Sequence, residues 1–321
     1  MYTPDLISLS GILDAHARIK RHVVCTPLLH APLADQELGF SLQIKAEPLQ
    51  ITGSFKYRGA RNCIMRHGPQ AVVAYSSGNH GQAVAAVAKM MGLRAVIVMP
   101  RDTPQVKLDN VDTWGAEIVL YDRLKEDRAA IAQGIVDKTG AFLVPPFEHP
   151  DIVMGQATCG VEIAAQTNTT PDAVVSPVGG GGLSSGVFYI MRHHFAKAAL
   201  IGAEPRYYDD TKRSLQTGTP TAITPGKPSL CDALLTPRPG DLTFALNHAQ
   251  IDDVLLISDK QALHAMAFLF RHYRIVAEPG GAAAMAAVLT NREKFRGQQV
   301  IAIVSGGNVD PEIFKKSIKL S

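Results

Sequence analysis

The sequence predicts an α/β protein built from two doubly wound open sheets, and three observations carry that prediction. Short β-branched runs alternate with helix-forming segments along most of the 321 residues, the pattern of parallel strands covered by helices. Glycine-rich turns follow several of those runs, at residues 78, 179–182 and 306–307. A hydrophobic content of 46% over this length is enough to fill about two cores.

In chain order, the N-terminal stretch MYTPDLISLSGILDAHARIKR reads as a short amphipathic helix. It lacks the basic start and unbroken apolar run of a signal peptide. Strands are expected at residues 71–76, 95–100, 117–121 and 142–146, and then at 173–178, 199–204, 254–258 and 300–307. Between them the pattern predicts helices over 81–91, 127–138, 155–166, 184–195, 260–273 and 281–290. The strands form two groups that meet at the EHPD turn, residues 148–151. We therefore expect a large domain of residues 1–69 plus 149–321 and a smaller inserted domain of residues 70–148. A cleft is expected at the strand C-terminal ends, where ligands sit in such folds. The proline-rich stretch 205–239 is the least regular and reads as a functional loop with one helix-capable piece, SLCDALL.

Bulk properties exclude several classes. Lys and Arg total 32 against 29 Asp and Glu, with no basic block, so nucleic acid is not an expected partner. The longest apolar stretch is broken by Lys89 and Arg94, too soon for a membrane span. Cys25, Cys63, Cys159 and Cys231 lie far apart, with no CxxC and no Cys/His spacing of a zinc site or disulfide framework. A reducing, cytoplasmic setting is expected.

Four motifs carry the chemistry. ITGSFKYRGA, residues 51–60, crowds polar groups around Lys56 in an otherwise apolar chain. SSGNHGQA, residues 76–83, follows a strand and opens a helix; its backbone N–H groups and hydroxyls suit a small carboxylate. SPVGGGGLSSGV, residues 176–187, has four successive glycines that let several N–H groups face one anion at a helix start. A dinucleotide loop is the rival, with Glu204 as the ribose acid, but G-x-G-x-x-G fails in every register. A compact phosphate monoester fits the loop better. SGGN, residues 305–308, closes the last strand, and AEPGGAAA, residues 277–284, opens a small-residue helix.

In this order and at these separations the motifs resemble the signature set of the fold-type II pyridoxal-phosphate enzymes, within them the serine racemase and serine/threonine dehydratase family. The resemblance covers about residues 26–308 and implies the two-domain architecture shared with the tryptophan synthase β subunit. It implies that Lys56 anchors the cofactor aldehyde, that Phe55 stacks on the pyridine face, and that Gly179, Gly180, Gly181 and Gly182 grip the phosphate. Asn79 would bind the ring hydroxyl, Ser305 would face the pyridine nitrogen, and Glu278 would complete the cofactor pocket. A lysine of normal pKa is mostly protonated at neutral pH, so such a site must desolvate it. A serine facing the ring nitrogen cannot protonate it as an aspartate would, which favours expulsion of a β leaving group.

The implied reaction is β-elimination from a hydroxy amino acid such as L-threonine or L-serine to a 2-oxo acid and ammonia. Lys56 would remove the α proton. Ser77 occupies the position from which, in racemases of the family, a serine works on the opposite face, whereas dehydratases typically carry alanine there. Racemisation, or dehydration of 3-hydroxyaspartate, stands as the alternative main role. Ser76, Ser77, Asn79 and His80 would hold the substrate carboxylate, with Arg128 as a closing contact or an exposed helix arginine. The family's divalent site would fall on Glu204, the Tyr208 carbonyl and Asp210, hard oxygen ligands suited to Mg²⁺, Ca²⁺ or Mn²⁺; a solvated acidic turn is the alternative. A homodimer is expected by resemblance. Asp151 stands where close relatives often show asparagine, and residues 229–244 differ from the racemase version, so substrate choice stays open. With little chain after SGGN, no regulatory domain and no isoleucine feedback are expected.

Overall fold

The computed structural model describes residues 6–224 and 226–320. Its strands are β1 (Leu28–His30), β2 (Ser41–Ala46), β3 (Ala71–Tyr75), β4 (Arg94–Pro100), β5 (Glu117–Tyr121), β6 (Phe142–Leu143), β7 (Ala173–Pro177), β8 (Ala199–Pro205), β9 (Asp253–Ile257) and β10 (Gln299–Val304). Its helices are α1 (Leu9–Ile19), α2 (Pro32–Leu38), α3 (Lys56–His67), α4 (Asn79–Met91), α5 (Gln105–Thr113), α6 (Arg128–Thr139), α7 (Pro150–Gln166), α8 (Gly182–His194), α9 (Asp210–Thr217), α10 (Asp241–His248), α11 (Asp259–Tyr273), α12 (Ala283–Thr290) and α13 (Pro311–Ile318).

The strands form two sheets. One has the order β1-β2-β10-β7-β8-β9 and the other β5-β4-β3-β6. All pairings are parallel except the edge pair β1–β2. Alternate residues of the larger sheet enter two separate cores. Leu42, Ile44, Val175, Ile201 and Ala302 pack with α11 and α12 on one face. Val174, Leu200, Ile301 and Ile303 pack with α1, α7 and α8 on the other. Burial on both faces is why β7 and β10 read as continuous apolar runs. The smaller sheet is likewise covered, by α3, α4 and α5 on one side and by α6 on the other.

Several elements differ from expectation. The run at 142–146 is a strand only at Phe142–Leu143, with a last bond from Val144 N to Val73 O at 2.9 Å, because Pro145 and Pro146 have no N–H to donate. The last strand stops at Val304, so Ser305 and both following glycines lie beyond it. Helix α7 begins at Pro150 rather than 155; the proline takes the first helical position and the His149 ring accepts from Asp151 N. SLCDALL forms one 3-10 turn, Asp232–Leu234.

Strand β2 was not anticipated. Its apolar face is interrupted in sequence by Gln43 and Lys45, but Lys45 is fully buried, donating to Glu162 Oε2 at 2.6 Å. Arg58 completes the group, donating to Glu162 Oε1 at 2.7 Å and to Glu47 Oε2 at 2.8 Å. Two cations and two carboxylates thus close a buried quartet of zero formal charge. It fixes α3 against α7 and the end of β2, and with α3 it fixes Lys56.

Candidate active site

The C-terminal ends of both sheets face one cleft of about 650 Å³, within the range of small-molecule sites. Lys56, Ser76, Ser77, Asn79, His80, Arg128, the four glycines, Glu278 and Ser305 all line it.

Lys56 is the first residue of α3, and its Nζ donates to Pro146 O at 2.7 Å. The amine lies 5.1 Å from the Phe55 ring centroid. Among the described residues no carboxylate is bonded to it, and burial lowers its pKa to about 8. Among lysines this is unusually easy to deprotonate, as a nucleophilic amine requires. The loop before it is locked to the far end of the chain: Ser54 bridges Gly306, and Phe55 N donates to Ser305 O at 3.1 Å.

The tetraglycine loop joins β7 to α8, with Gly181 in the left-handed region at φ 86°. A Cβ on Gly180 would lie 2.6 Å from Phe147 Cγ; one on Gly181 would lie 2.8 Å from Asn247 Nδ2; one on Gly182 would lie 2.9 Å from Gln156 Oε1. A side chain at any of these three positions would force its neighbours to move. The amides of Asn247 and Gln156 are both fully buried and lack partners among the described residues, so polar groups stand ready beside an N-terminal anion cradle. The loop, the desolvated amine and these unpaired groups fit a phosphorylated carbonyl cofactor.

Asn79 opens α4 and donates to Glu278 Oε1 at 2.6 Å. Glu278 is 4% exposed, and burial, reinforced by Asp232, raises its carboxyl to about 8. Asn308, to which the SGGN motif assigned no role, ties these motifs together: its Nδ2 reaches Asn79 Oδ1 at 2.7 Å and Thr52 O at 2.8 Å. Asn247, Phe147 and Pro146 were likewise unassigned. No local motif marks them, since their contacts are made across the fold.

The other expected residues are distributed unevenly. Ser76 Oγ accepts from Gly78 N at 3.2 Å, and Ser77 lies beside it in the turn after β3. His80 Nε2 bonds Val144 O at 2.8 Å, and burial and the nearby Lys56 charge lower its pKa to about 3. The ring is therefore neutral, donates from Nε2, and leaves the buried Nδ1 without a partner among the described residues. Arg128 is exposed at the rim, its guanidinium 5.3 Å from the Tyr75 ring centroid.

Outside the cleft, Glu204 is the penultimate residue of β8 and Asp210 opens α9, both fully buried. Glu204 accepts from Thr211 N at 2.9 Å and Lys212 N at 3.0 Å, whereas neither oxygen of Asp210 has a partner among the described residues. Burial raises Glu204 to about 7; burial and then Glu204 raise Asp210 to about 8. Two buried acids with two orphaned oxygens are a donor set that fits a hard cation. Tyr208, also buried, sits in the turn between them.

A desolvated lysine and a glycine-built anion cradle lining one cleft are the groups needed by an enzyme that works through a covalently held carbonyl cofactor. The sequence profile of the pyridoxal-phosphate dependent enzymes matches residues 19–306, and the chain belongs to that family. It is 37% identical over 320 residues to an L-threo-3-hydroxyaspartate ammonia-lyase of Pseudomonas sp, covering 98% of this chain and 99% of that one. A T.th. threonine deaminase superposes with a TM-score of 0.90 at 37% identity, covering 94% of this chain and 99% of the other. Serine racemase from Dictyostelium discoideum superposes at 0.87 with 34% identity, covering 95% and 99%. No helix among the described residues is long and apolar enough to cross a membrane.

Proposed function

We propose that the protein catalyses β-elimination from a hydroxy amino acid, yielding a 2-oxo acid and ammonia. The observation that carries this reading is Lys56: an amine with no carboxylate bonded to it among the described residues, held near neutral pKa on the cleft wall, with the Ser305 hydroxyl rather than an acid on the opposite motif. Lys56 would anchor the cofactor and Phe55 would stack on it. Gly179 to Gly182 would hold its phosphate, Asn79, with Glu278 behind it, its hydroxyl, and Ser305 its ring nitrogen. Bound there, pyridoxal phosphate supplies an electron sink for charge developing at the substrate Cα. Lys56 Nζ takes the α proton; Ser76, Ser77, Asn79 and the first-turn N–H groups of α4 receive the substrate carboxylate. His80, being neutral, serves through its backbone N–H and not as a cation.

Ser77 supports a second activity, since a hydroxyl there can exchange a proton on the face opposite Lys56 and so racemise serine. A β-carboxylated substrate has support of its own: Arg128 and Lys107 both line the cleft, and the Pseudomonas relative is named for 3-hydroxyaspartate. In this reading residues 70–148 form a small mobile domain. Its Lys107 meets Asp232 of the 229–235 loop across the cleft mouth, and closure excludes water. Glu204, Asp210 and the Tyr208 carbonyl would hold Mg²⁺, Ca²⁺ or Mn²⁺ in a structural role. The reading includes a cytoplasmic homodimer, in keeping with the prevalence of twofold assemblies; sedimentation at the monomer mass would remove the dimer.

The purified protein should show a visible absorption band that borohydride bleaches, and Lys56→Ala should lose the covalent adduct and all ammonia release. A colourless protein that takes up no pyridoxal phosphate would end the enzyme reading. Rates on L-serine, D-serine, L-threonine and the 3-hydroxyaspartates rank the substrates.

A further inference from the structure

Helix α3, which begins at Lys56, carries a second constellation at its other end. Cys63 and His67 stand four residues apart and so share one helix face. His149, the residue that caps α7, completes a trio whose ligand atoms all lie within 4.8 Å of one another. No CxxC spacing announces it, because the third group comes from a distant segment. Cys63 is fully buried, while the side chains of His67 and His149 are 37% and 28% exposed. The site is thus closed on the thiol side and open to entry on the imidazole side.

Asp151, the last residue of the EHPD turn, is buried beside the trio. Its Oδ2 lies 2.9 Å from His67 Nε2 and 3.9 Å from His149 Nδ1, and its Oδ1 accepts from Arg66 at 2.7 Å. A carboxylate bonded to a histidine ring is the arrangement that orients imidazole ligands and raises their basicity.

We propose that Cys63, His67 and His149 bind one borderline-soft divalent cation, zinc by preference, with Asp151 as the positioning carboxylate. Thiolate and imidazole donors select zinc or cobalt over magnesium, so this site differs in chemistry from the all-oxygen pair at Glu204 and Asp210. Metal–nitrogen and metal–sulfur bonds of about 2.0–2.3 Å put tetrahedral ligand atoms about 3.3–3.8 Å apart. Side-chain shifts of about an ångström therefore close the site, and the Cys63 proton leaves to solvent on binding. The ion would fasten the C-terminal half of α3 to the start of α7. Lys56 already joins the other end of α3 to Pro146, four residues before α7 begins. While the Lys56 amine is free, the same two segments are held twice.

The test uses the cofactor-loaded full chain, saturated with Mg²⁺ to fill the oxygen site and then titrated with Co²⁺. One equivalent should bind, with a thiolate-to-cobalt charge-transfer band and tetrahedral visible bands to the red of the cofactor absorption; Zn²⁺ should displace it. Cys63→Ser should abolish the charge-transfer band. His67→Gln, at the exposed edge where folding is not at risk, should abolish stoichiometric uptake. Asp151→Asn should keep the band but weaken affinity by about 10–100-fold. Uptake without a sulfur band, or uptake unchanged in His67→Gln, would show that cobalt sits elsewhere and would overturn the proposal.

Discussion

Stripping divalent cations from the enzyme should make its stability fall as pH rises, and Asp210 sets the size of the effect. Its carboxyl titrates at about 8 in the fold against 3.8 unperturbed, and Glu204 at about 7 against 4.5. Both are raised, so between the two sets of values the folded chain holds protons that the unfolded chain has released. Stability is lost progressively through that window, and the cost is complete above pH 8. At 1.36 kcal/mol per pKa unit, Asp210 alone removes about 3 kcal/mol between about pH 6 and about pH 9. For a chain of this size that is a fall in Tm of about 5 °C. Saturating Mg²⁺ should abolish this part of the slope, because both carboxylates are then ligands and stay ionised. Asp210→Asn removes the titrating group and with it the response to Mg²⁺. Glu278 also titrates near 8, but it contributes equally to both proteins, so the difference between wild type and Asp210→Asn isolates the pair. Thermal melts of the holoenzyme with EDTA or Mg²⁺ across this range measure it. A metal-free slope identical in wild type and Asp210→Asn would refute the cation site and the titration together.

Three further outcomes follow from the geometry. Ser77→Ala should abolish formation of D-serine from L-serine while sparing 2-oxo acid production, read by chiral chromatography beside an ammonia assay; equal loss of both would remove the two-face assignment. Gly180→Ala forces a methyl into the Phe147 ring; at about 1–3 kcal/mol for overpacking cofactor affinity should drop about 10–100-fold, followed by fluorescence titration, and unchanged affinity would mean the loop does not hold the phosphate. Glu162→Gln leaves Arg58 on Glu47 but strips Lys45 of its carboxylate, so the buried quartet carries one uncompensated positive charge and should lose about 3–5 kcal/mol in urea unfolding; a change under about 0.5 kcal/mol would show the quartet to be dispensable.

The parallel sheets and the motif residues were legible because each depends on local chemistry. β-branched runs end in glycines, and a strand, a turn and a helix recur in the order that aims N–H groups at a ligand. What stayed hidden depends on distance in the chain. Strand β2 reads as half polar until Glu162 neutralises Lys45 from 117 residues away. Asn308 acquires meaning only when Asn79 and Thr52 arrive beside it, and Cys63 looks inert until His149 is folded against it. Helices α4 and α7 start at Asn79 and Pro150, two and five residues before the expected positions, because a first helical turn accepts polar residues and proline.

Strand β10 follows every other strand in the chain, yet it lies in the middle of the larger sheet, between β2 and β7. The loop that carries Lys56 is pinned by Ser305 and Gly306, which follow β10. A chain still emerging from the ribosome therefore has its reactive lysine early and nothing to dock it on, while the facing edges of β2 and β7 stay unpaired. A product truncated before residue 299 therefore lacks the Ser305 and Gly306 contacts to the loop before Lys56 and leaves the facing edges of β2 and β7 open to aggregation.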